Sequence, residues 1–175
     1  MMILFCIVCI VLYLLHPSAE VYGVSDTNLC GMFTYQFLHA NMLHLIVNIV
    51  SLYLVYKPFK IIYGNRFNYD NDIVLFLIIY LASVLAAMFG LSSTPTVGAS
   101  GMVFFILGAI LALRPTKRQF INYIWVFIGF IVSAFMENSN TLLHLAAFVI
   151  GVLFAIARIK YDDCRTENNR RLQTN

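Results

Sequence analysis

Long apolar segments constrain this chain more than any other feature of its sequence. Six of them follow one another along the 175 residues, and the breaks between them hold all four prolines and most of the charges. They cover approximately residues 2–15, 38–56, 73–91, 98–113, 120–136 and 141–158. Most approach the roughly 20 residues that a helix needs to cross hydrocarbon. With 61% hydrophobic and 11% charged residues, the chain is predicted to be an all-α membrane protein with six spans.

The first apolar segment is short enough to be the hydrophobic core of a signal peptide. No Lys or Arg precedes it, however, and Pro17-Ser18-Ala19 is a poor cleavage site, so we expect a retained first span. Residues 1–160 then form one six-span membrane domain. Residues 161–175 are polar, and their composition predicts a disordered tail.

The positions of the eleven Lys and Arg residues predict the orientation of the spans. They fall between spans two and three, between spans four and five, and at or after the end of span six. Because basic residues favour the cytoplasmic side, both termini are expected in the cytoplasm, with the cell membrane as the expected location. The net charge of +3 thus reflects topology and gives no indication of nucleic-acid binding.

Polar side chains occur near the start of the three spans that enter from the external face. Span two carries His44 and Asn48, which are four residues apart and therefore share one helical face. Ser100 lies near the start of span four, and His144 lies at a similar depth in span six. Polar residues within a membrane usually face the bundle interior or a water-filled cavity. The four side chains are therefore expected to converge.

Each of these residues also has an ordinary structural interpretation. Asn48 alone would be an interhelical hydrogen bond, and Ser100 alone would be a small packing residue. A serine nucleophile, however, needs a base within hydrogen-bond reach, and His144 lies at the matching depth. No Asp or Glu lies within any span. The residues therefore favour a Ser-His dyad over a Ser-His-Asp triad.

Small residues along spans four and six would let these two helices approach closely. Gly101, Gly108 and Ala112 line span four, and Ala147, Gly151 and Ala155 recur every fourth residue after His144. A tetrahedral oxyanion formed at Ser100 would need hydrogen-bond donors. The available donors are His44, Asn48 and the backbone N–H of Ser100.

Three separated motifs resemble those of the rhomboid family of intramembrane serine proteases, over residues 30–158. They are His39-x4-His44-x3-Asn48, Gly98-x-Ser100-Gly101, and His144 followed seven residues later by Gly151. The resemblance implies Ser100 as nucleophile, His144 as general base, and an oxyanion site made by His44, Asn48 and the Ser100 amide. It also implies a supporting set, which comprises His39, Gly98, Gly101, Phe104, Ala147 and Gly151.

The same resemblance implies how the protein works. The family uses no metal or organic cofactor and cleaves single-span or otherwise membrane-anchored proteins at or just within the bilayer. Because the three spans that carry the polar residues are predicted to start at the external face, the active site of this protein is expected to open to the extracytoplasmic side. Aromatic residues in the external loop from His16 to Phe37 favour the headgroup region, so part of this loop is expected there.

The sequence departs from the family pattern at three places. Cys30 and Gly31 stand where the family commonly has Trp-Arg, Phe104 replaces a tyrosine, and Ala147 replaces a glycine. Phe104 can still pack on the ring of His144. The changes bear on the first external loop and on the helix contact, and they leave the proposed dyad intact.

Two other functions remain open from the sequence alone. One is a catalytically inactive rhomboid-like protein that binds membrane clients, although the loss of Ser100 or His144 expected for it is not seen. The other is a small transporter or proton pathway, which predicts ionisable residues throughout the bilayer. Here the ionisable residues of the spans stop in the outer third. The sequence has no His-Glu-x-x-His motif for zinc.

Overall fold

The computed structural model of the chain describes residues 1–67, 71–113, 124 and 140–174. Within these ranges the regular elements are helices, and one isolated β-bridge pairs Val24 with Thr96. The α-helices are α1 (Met2–Leu15), α2 (Ala19–Tyr22), α3 (Met42–Phe67), α4 (Asp72–Ala87), α5 (Ser100–Ala112) and α6 (Thr141–Thr174). Two short 3₁₀ helices, Leu29–Phe33 and Tyr35–Phe37, lie between α2 and α3.

Five of the six predicted spans correspond to helices of the structure. Among the described residues, α3 and α6 contain stretches long and apolar enough to cross a membrane, Met42–Gly64 and Thr141–Glu167. The helices α1, α4 and α5 are apolar but shorter. The fifth predicted span, 120–136, lies outside the described residues except for Ile124. The described part of the chain is therefore an all-α structure with apolar helices.

Helix α5 forms the centre of the fold. Every residue from Gly101 to Ile110 is buried, and α5 packs against α3, α4 and α6. At 1.5 Å per residue the helix is roughly 20 Å long, which is shorter than the roughly 30 Å hydrocarbon core of a bilayer. Ser100 is the first residue of this helix, so the loop that precedes α5 leads directly into it.

Two glycines bring α5 and α6 into backbone contact. A Cβ on Gly108 would overlap the carbonyl group of Phe148, and a Cβ on Gly151 would overlap the carbonyl group of Phe105. The backbones can meet only because neither position has a side chain. The close approach expected from the small residues of these two helices is therefore present in the structure.

Helix α3 is longer than the apolar segment from which it was predicted. It continues to Phe67 and contains Pro58, whereas the sequence placed every proline in a break between spans. Proline removes one helical hydrogen bond but does not always end a helix. Phe59 and Tyr63, on the following turns, are buried in the core, and this packing holds the helix together beyond the proline.

Helix α6 also continues beyond its apolar segment, to Thr174, where the sequence predicted a disordered tail from residue 161. Arg158 forms an ion pair with Asp162 at 3.4 Å, and the Thr166 hydroxyl donates to the Asp162 carbonyl at 2.8 Å. The physical reason for the difference is that the apolar part has already nucleated the helix, so each further residue adds a hydrogen bond without that cost. Residue composition alone therefore does not predict that a helix continues from an apolar segment into a polar one.

Candidate active site

Helix α3 presents His44 and Asn48 on one face at its first turns. The side-chain Oδ1 of Asn41 accepts a hydrogen bond from the His44 N–H at 2.8 Å and thereby caps the helix. Four residues on, Asn48 is buried, and its Nδ2 donates to the His44 carbonyl at 2.9 Å. The predicted pairing of these side chains on one helical face is present.

The loop that leads into α5 lies against this face. Gly98 has φ of +119°, a conformation that residues with a Cβ rarely adopt. Its N–H donates to the Tyr35 carbonyl at 2.8 Å. The closest atoms to a Cβ built on Gly98 belong to the His44 ring and to Nδ2 of Asn48. The structure thus brings His44 and Asn48 directly beside the loop that carries Ser100.

Ser100 is the first residue of α5, and its side chain contacts α6. Its Oγ lies 2.7 Å from Nε2 of His144, a hydrogen-bond distance. His144 is buried, and Ser100 is half-buried. The backbone N–H of Ser100 belongs to the first turn of α5, whose N–H groups have no helical carbonyl to bind. This amide is therefore available beside the hydroxyl.

Phe104 packs against the ring of His144. The two ring centroids are 4.5 Å apart, with the planes tilted by 39°. Phe104 lies one turn after Ser100 on α5, so the same helix supplies the hydroxyl at one edge of the imidazole and an aromatic ring against it. The sequence predicted this contact.

His39 lies in the segment before α3 and contacts His44 rather than the Ser100–His144 pair. Its ring meets that of His44 in an edge-on arrangement with centroids 5.3 Å apart. The side chain is half-buried. His39 therefore supports the position of the His44 ring.

The remaining supporting residues lie at helix contacts. Ala147 is fully buried one turn after His144, and Gly151 meets the backbone of Phe105. Gly101 is different from what was expected, because it faces α4 as well as α6. A Cβ there would meet the hydroxyls of Ser83 and Tyr35 and the Leu143 side chain.

Tyr35 and Ser83 form a buried pair that sequence reasoning missed. The Tyr35 hydroxyl lies 2.7 Å from the Ser83 Oγ and 3.0 Å from the Ser83 carbonyl. Burial raises the pKa of the Tyr35 phenol, because a phenolate at this position would lose its solvation by water. The signal that could have indicated this pair was Ser83, the single serine in the apolar segment 73–91.

The segment between α2 and α3 explains one departure from the family pattern. Gly31 is buried, and a Cβ on it would overlap the backbone of Gly23. The neighbouring Cys30 is exposed. The segment is thus closed by contact between two glycines, at a position where an arginine side chain would not fit.

This arrangement supplies the parts of a nucleophilic site. A hydroxyl within 2.7 Å of an imidazole nitrogen can transfer its proton to that nitrogen as it attacks an electrophile. The start of α5 lies at this hydroxyl, and the side chains of His44 and Asn48 lie next to Gly98, two residues before it. Donors in such positions stabilise negative charge on a reacting oxygen. Among the residues that the structure describes, no group of three His, Cys, Asp or Glu side chains is placed to hold a metal ion.

Comparison with known proteins gives one family match. The family described as Rhomboid domain matches residues 26–161, which is more than half of the chain and includes every residue of the candidate site. None of the curated proteins matches the sequence at a significant level.

Proposed function

The chain belongs to the rhomboid family, and we propose that it is an intramembrane serine protease that cleaves membrane-anchored proteins with a dyad of Ser100 and His144. The observation that carries this proposal is the 2.7 Å separation of Ser100 Oγ and His144 Nε2. These atoms belong to two helices whose backbones touch, so the pair is held by rigid elements.

In the proposed reaction, the Ser100 hydroxyl attacks the carbonyl carbon of the scissile peptide bond. His144 Nε2 takes the hydroxyl proton and then gives it to the leaving amine as the peptide C–N bond breaks. This leaves an acyl-enzyme ester on Ser100. A water molecule then gives a proton to His144 and attacks the ester carbonyl. As the ester C–O bond breaks, His144 returns that proton to the Ser100 oxygen, which releases the acid product and restores the serine.

The negative oxygen of each tetrahedral intermediate requires hydrogen-bond donors. The Ser100 amide is well situated, because it lies at the amino-terminal end of α5, where the helix dipole favours negative charge. The side chains of His44 and Asn48 supply the other donors. Their proximity to Gly98, two residues before the nucleophile, supports this assignment.

We further propose that the protein has six spans, with the fifth at 120–136, and that both termini are cytoplasmic. The basic residues between spans support this orientation. The site would then open toward the extracytoplasmic side of the cell membrane. Its substrates would be single-span or membrane-anchored proteins, and the short central helix leaves access for the water that hydrolysis needs.

The proposal is tested by reconstituting the purified chain with a panel of single-span substrates. We expect cleavage by the wild type and none by Ser100→Ala or His144→Ala. Ser93→Ala and His16→Ala serve as matched controls, because both side chains are exposed and lie outside the site. Cleavage by either dyad variant would overturn the proposed mechanism. Binding of the substrates without cleavage by the wild type would instead identify a non-catalytic member of the family.

A further inference from the structure

Asn140 lies at the start of α6 and uses its whole side-chain amide in hydrogen bonds. Its Oδ1 accepts from the Leu143 N–H at 3.1 Å, which caps the helix. Its Nδ2 donates to the Thr96 hydroxyl at 2.8 Å and to the Gly90 carbonyl. Both acceptors belong to the loop between α4 and α5. One side chain therefore joins α6 to that loop.

The two chain segments that Asn140 joins are the ones that carry the dyad. His144 lies one turn after Asn140, and its N–H donates to the Asn140 carbonyl at 3.1 Å. Ser100 lies four residues after Thr96. Thr96 is itself fixed, because it exchanges two backbone hydrogen bonds with Val24, at 2.8 and 3.1 Å. The loop end that Asn140 binds is thus anchored on its other side.

The contact at Gly90 leaves little freedom. A Cβ on Gly90 would lie 2.5 Å from Oδ1 of Asn140 and 2.6 Å from Cβ of Leu143. The first turn of α6 therefore rests directly on the backbone of the loop. A shift of α6 along or away from α5 at this level would break the bonds of Asn140.

We propose that Asn140 is a positioning residue that sets the distance between Ser100 and His144 by bonding the first turn of α6 to Gly90 and Thr96. This inference rests on the proposed function. A displacement of about 1 Å between reacting groups can lower a rate on the order of a hundredfold. The hydrogen bonds of Asn140 restrain such a displacement at the first turns of α5 and α6. The backbone contacts at Gly108 and Gly151 lie further along both helices.

An ordinary helix cap would account for the Oδ1 contact but not for the two donated bonds. The two roles are separated by Asn140→Asp, since aspartate is as good a cap as asparagine but has no amide protons to donate. Thr96→Val is the second variant. It removes the hydroxyl with little change in volume and leaves the cap and Asn140 intact.

The test is the cleavage kinetics of the full chain in proteoliposomes, with a single-span protein that the wild type cleaves as the substrate. We expect kcat of Asn140→Asp to fall about tenfold or more, with KM and the unfolding temperature close to wild type. Thr96→Val should lose less, because the bond that Asn140 donates to the Gly90 carbonyl remains. The two losses should not multiply in the double variant, because both changes alter the contact between residue 140 and Thr96. Asn71→Asp is the matched control, since Asn71 caps α4 through two N–H groups and is exposed.

An active wild type with an equally active Asn140→Asp would overturn the inference and leave the proposed function standing. A lower kcat together with a lower unfolding temperature would also overturn it, because this combination would indicate a purely structural cap. A wild type without any activity would overturn the proposed function and this inference together.

Discussion

Gly98 faces the imidazole of His44 across a gap that has no room for a methyl group. A Cβ on Gly98 would lie 2.7 Å from Nε2 of His44, and the φ of +119° disfavours any residue with a side chain. The glycine therefore fixes the loop before Ser100 against the start of α3.

Gly98→Ala should strongly reduce cleavage, because the new methyl group must displace either the loop or the His44 ring. We expect kcat to fall on the order of a hundredfold, as for a misplacement of about 1 Å. Cleavage rates in liposomes measure the effect. Ser93→Ala, an exposed change in the same loop, is the control, and equal rates for the two variants would contradict the role of Gly98.

Gly108→Ala and Gly151→Ala should each destabilise the bundle. Each added Cβ would overlap a carbonyl of the facing helix, and overpacking of this kind costs roughly 1–3 kcal/mol. A lower unfolding temperature in detergent is the expected result. Leu111→Ala, on the exposed side of α5, should change it much less. An unchanged unfolding temperature for both glycine variants would contradict this prediction, because it would show that the two helices can move apart without a loss of stability.

Tyr35→Phe and Ser83→Ala should show coupled effects on stability. Removing one hydroxyl leaves the other buried with a lost partner, which costs roughly 1–3 kcal/mol. The double variant should therefore lose less than the sum of the single losses. Tyr53→Phe is the control, because that tyrosine is 59% exposed on α3. Additive losses in a double-mutant cycle would argue against the pair.

Asn48→Ala should slow turnover by about tenfold or more if Asn48 donates to the oxyanion. The loss is expected in kcat, since the hydrogen bond forms fully only in the transition state. Ser51→Ala, about one turn further along α3, provides the comparison. A wild-type rate for Asn48→Ala would remove this residue from the proposed site.

The sequence was sufficient to predict the family and the close contact of two helices. Apolar segments mark the helices. Gly108 on α5 and Gly151 on α6 each belong to a set of small residues whose spacing places them on one helical face. Ser100 and His144 could be paired because each lies near the start of an apolar segment, and the basic residues predict that both segments enter the membrane from the same side. The family match over residues 26–161 confirms the resemblance that their motifs gave.

The sequence could not predict contacts between distant parts of the chain. Tyr35 and Ser83 are 48 residues apart, and nothing in their local sequence indicates that the segment before α3 packs against α4. Asn140 is 50 residues from Gly90. The bonds that Asn140 donates join distant parts of the chain, so no local pattern in the sequence indicates them.

Helix ends were also poorly predicted, for a related reason. Composition placed a break at Pro58 and disorder after residue 160, yet α3 and α6 continue through both. A helix that has already formed extends through residues that would not begin one. Apolar length therefore gave the positions of the described spans but not their limits.

The most direct test of the account is labelling of the folded chain with a fluorophosphonate probe, followed by mass spectrometry of the labelled peptide. An ordinary serine hydroxyl does not react, so labelling reports a serine activated by a neighbouring base. We predict a single label on Ser100 in the wild type and its loss in Ser100→Ala and in His144→Ala. Undiminished labelling of Ser100 in His144→Ala would contradict the activation of this hydroxyl by the imidazole 2.7 Å away.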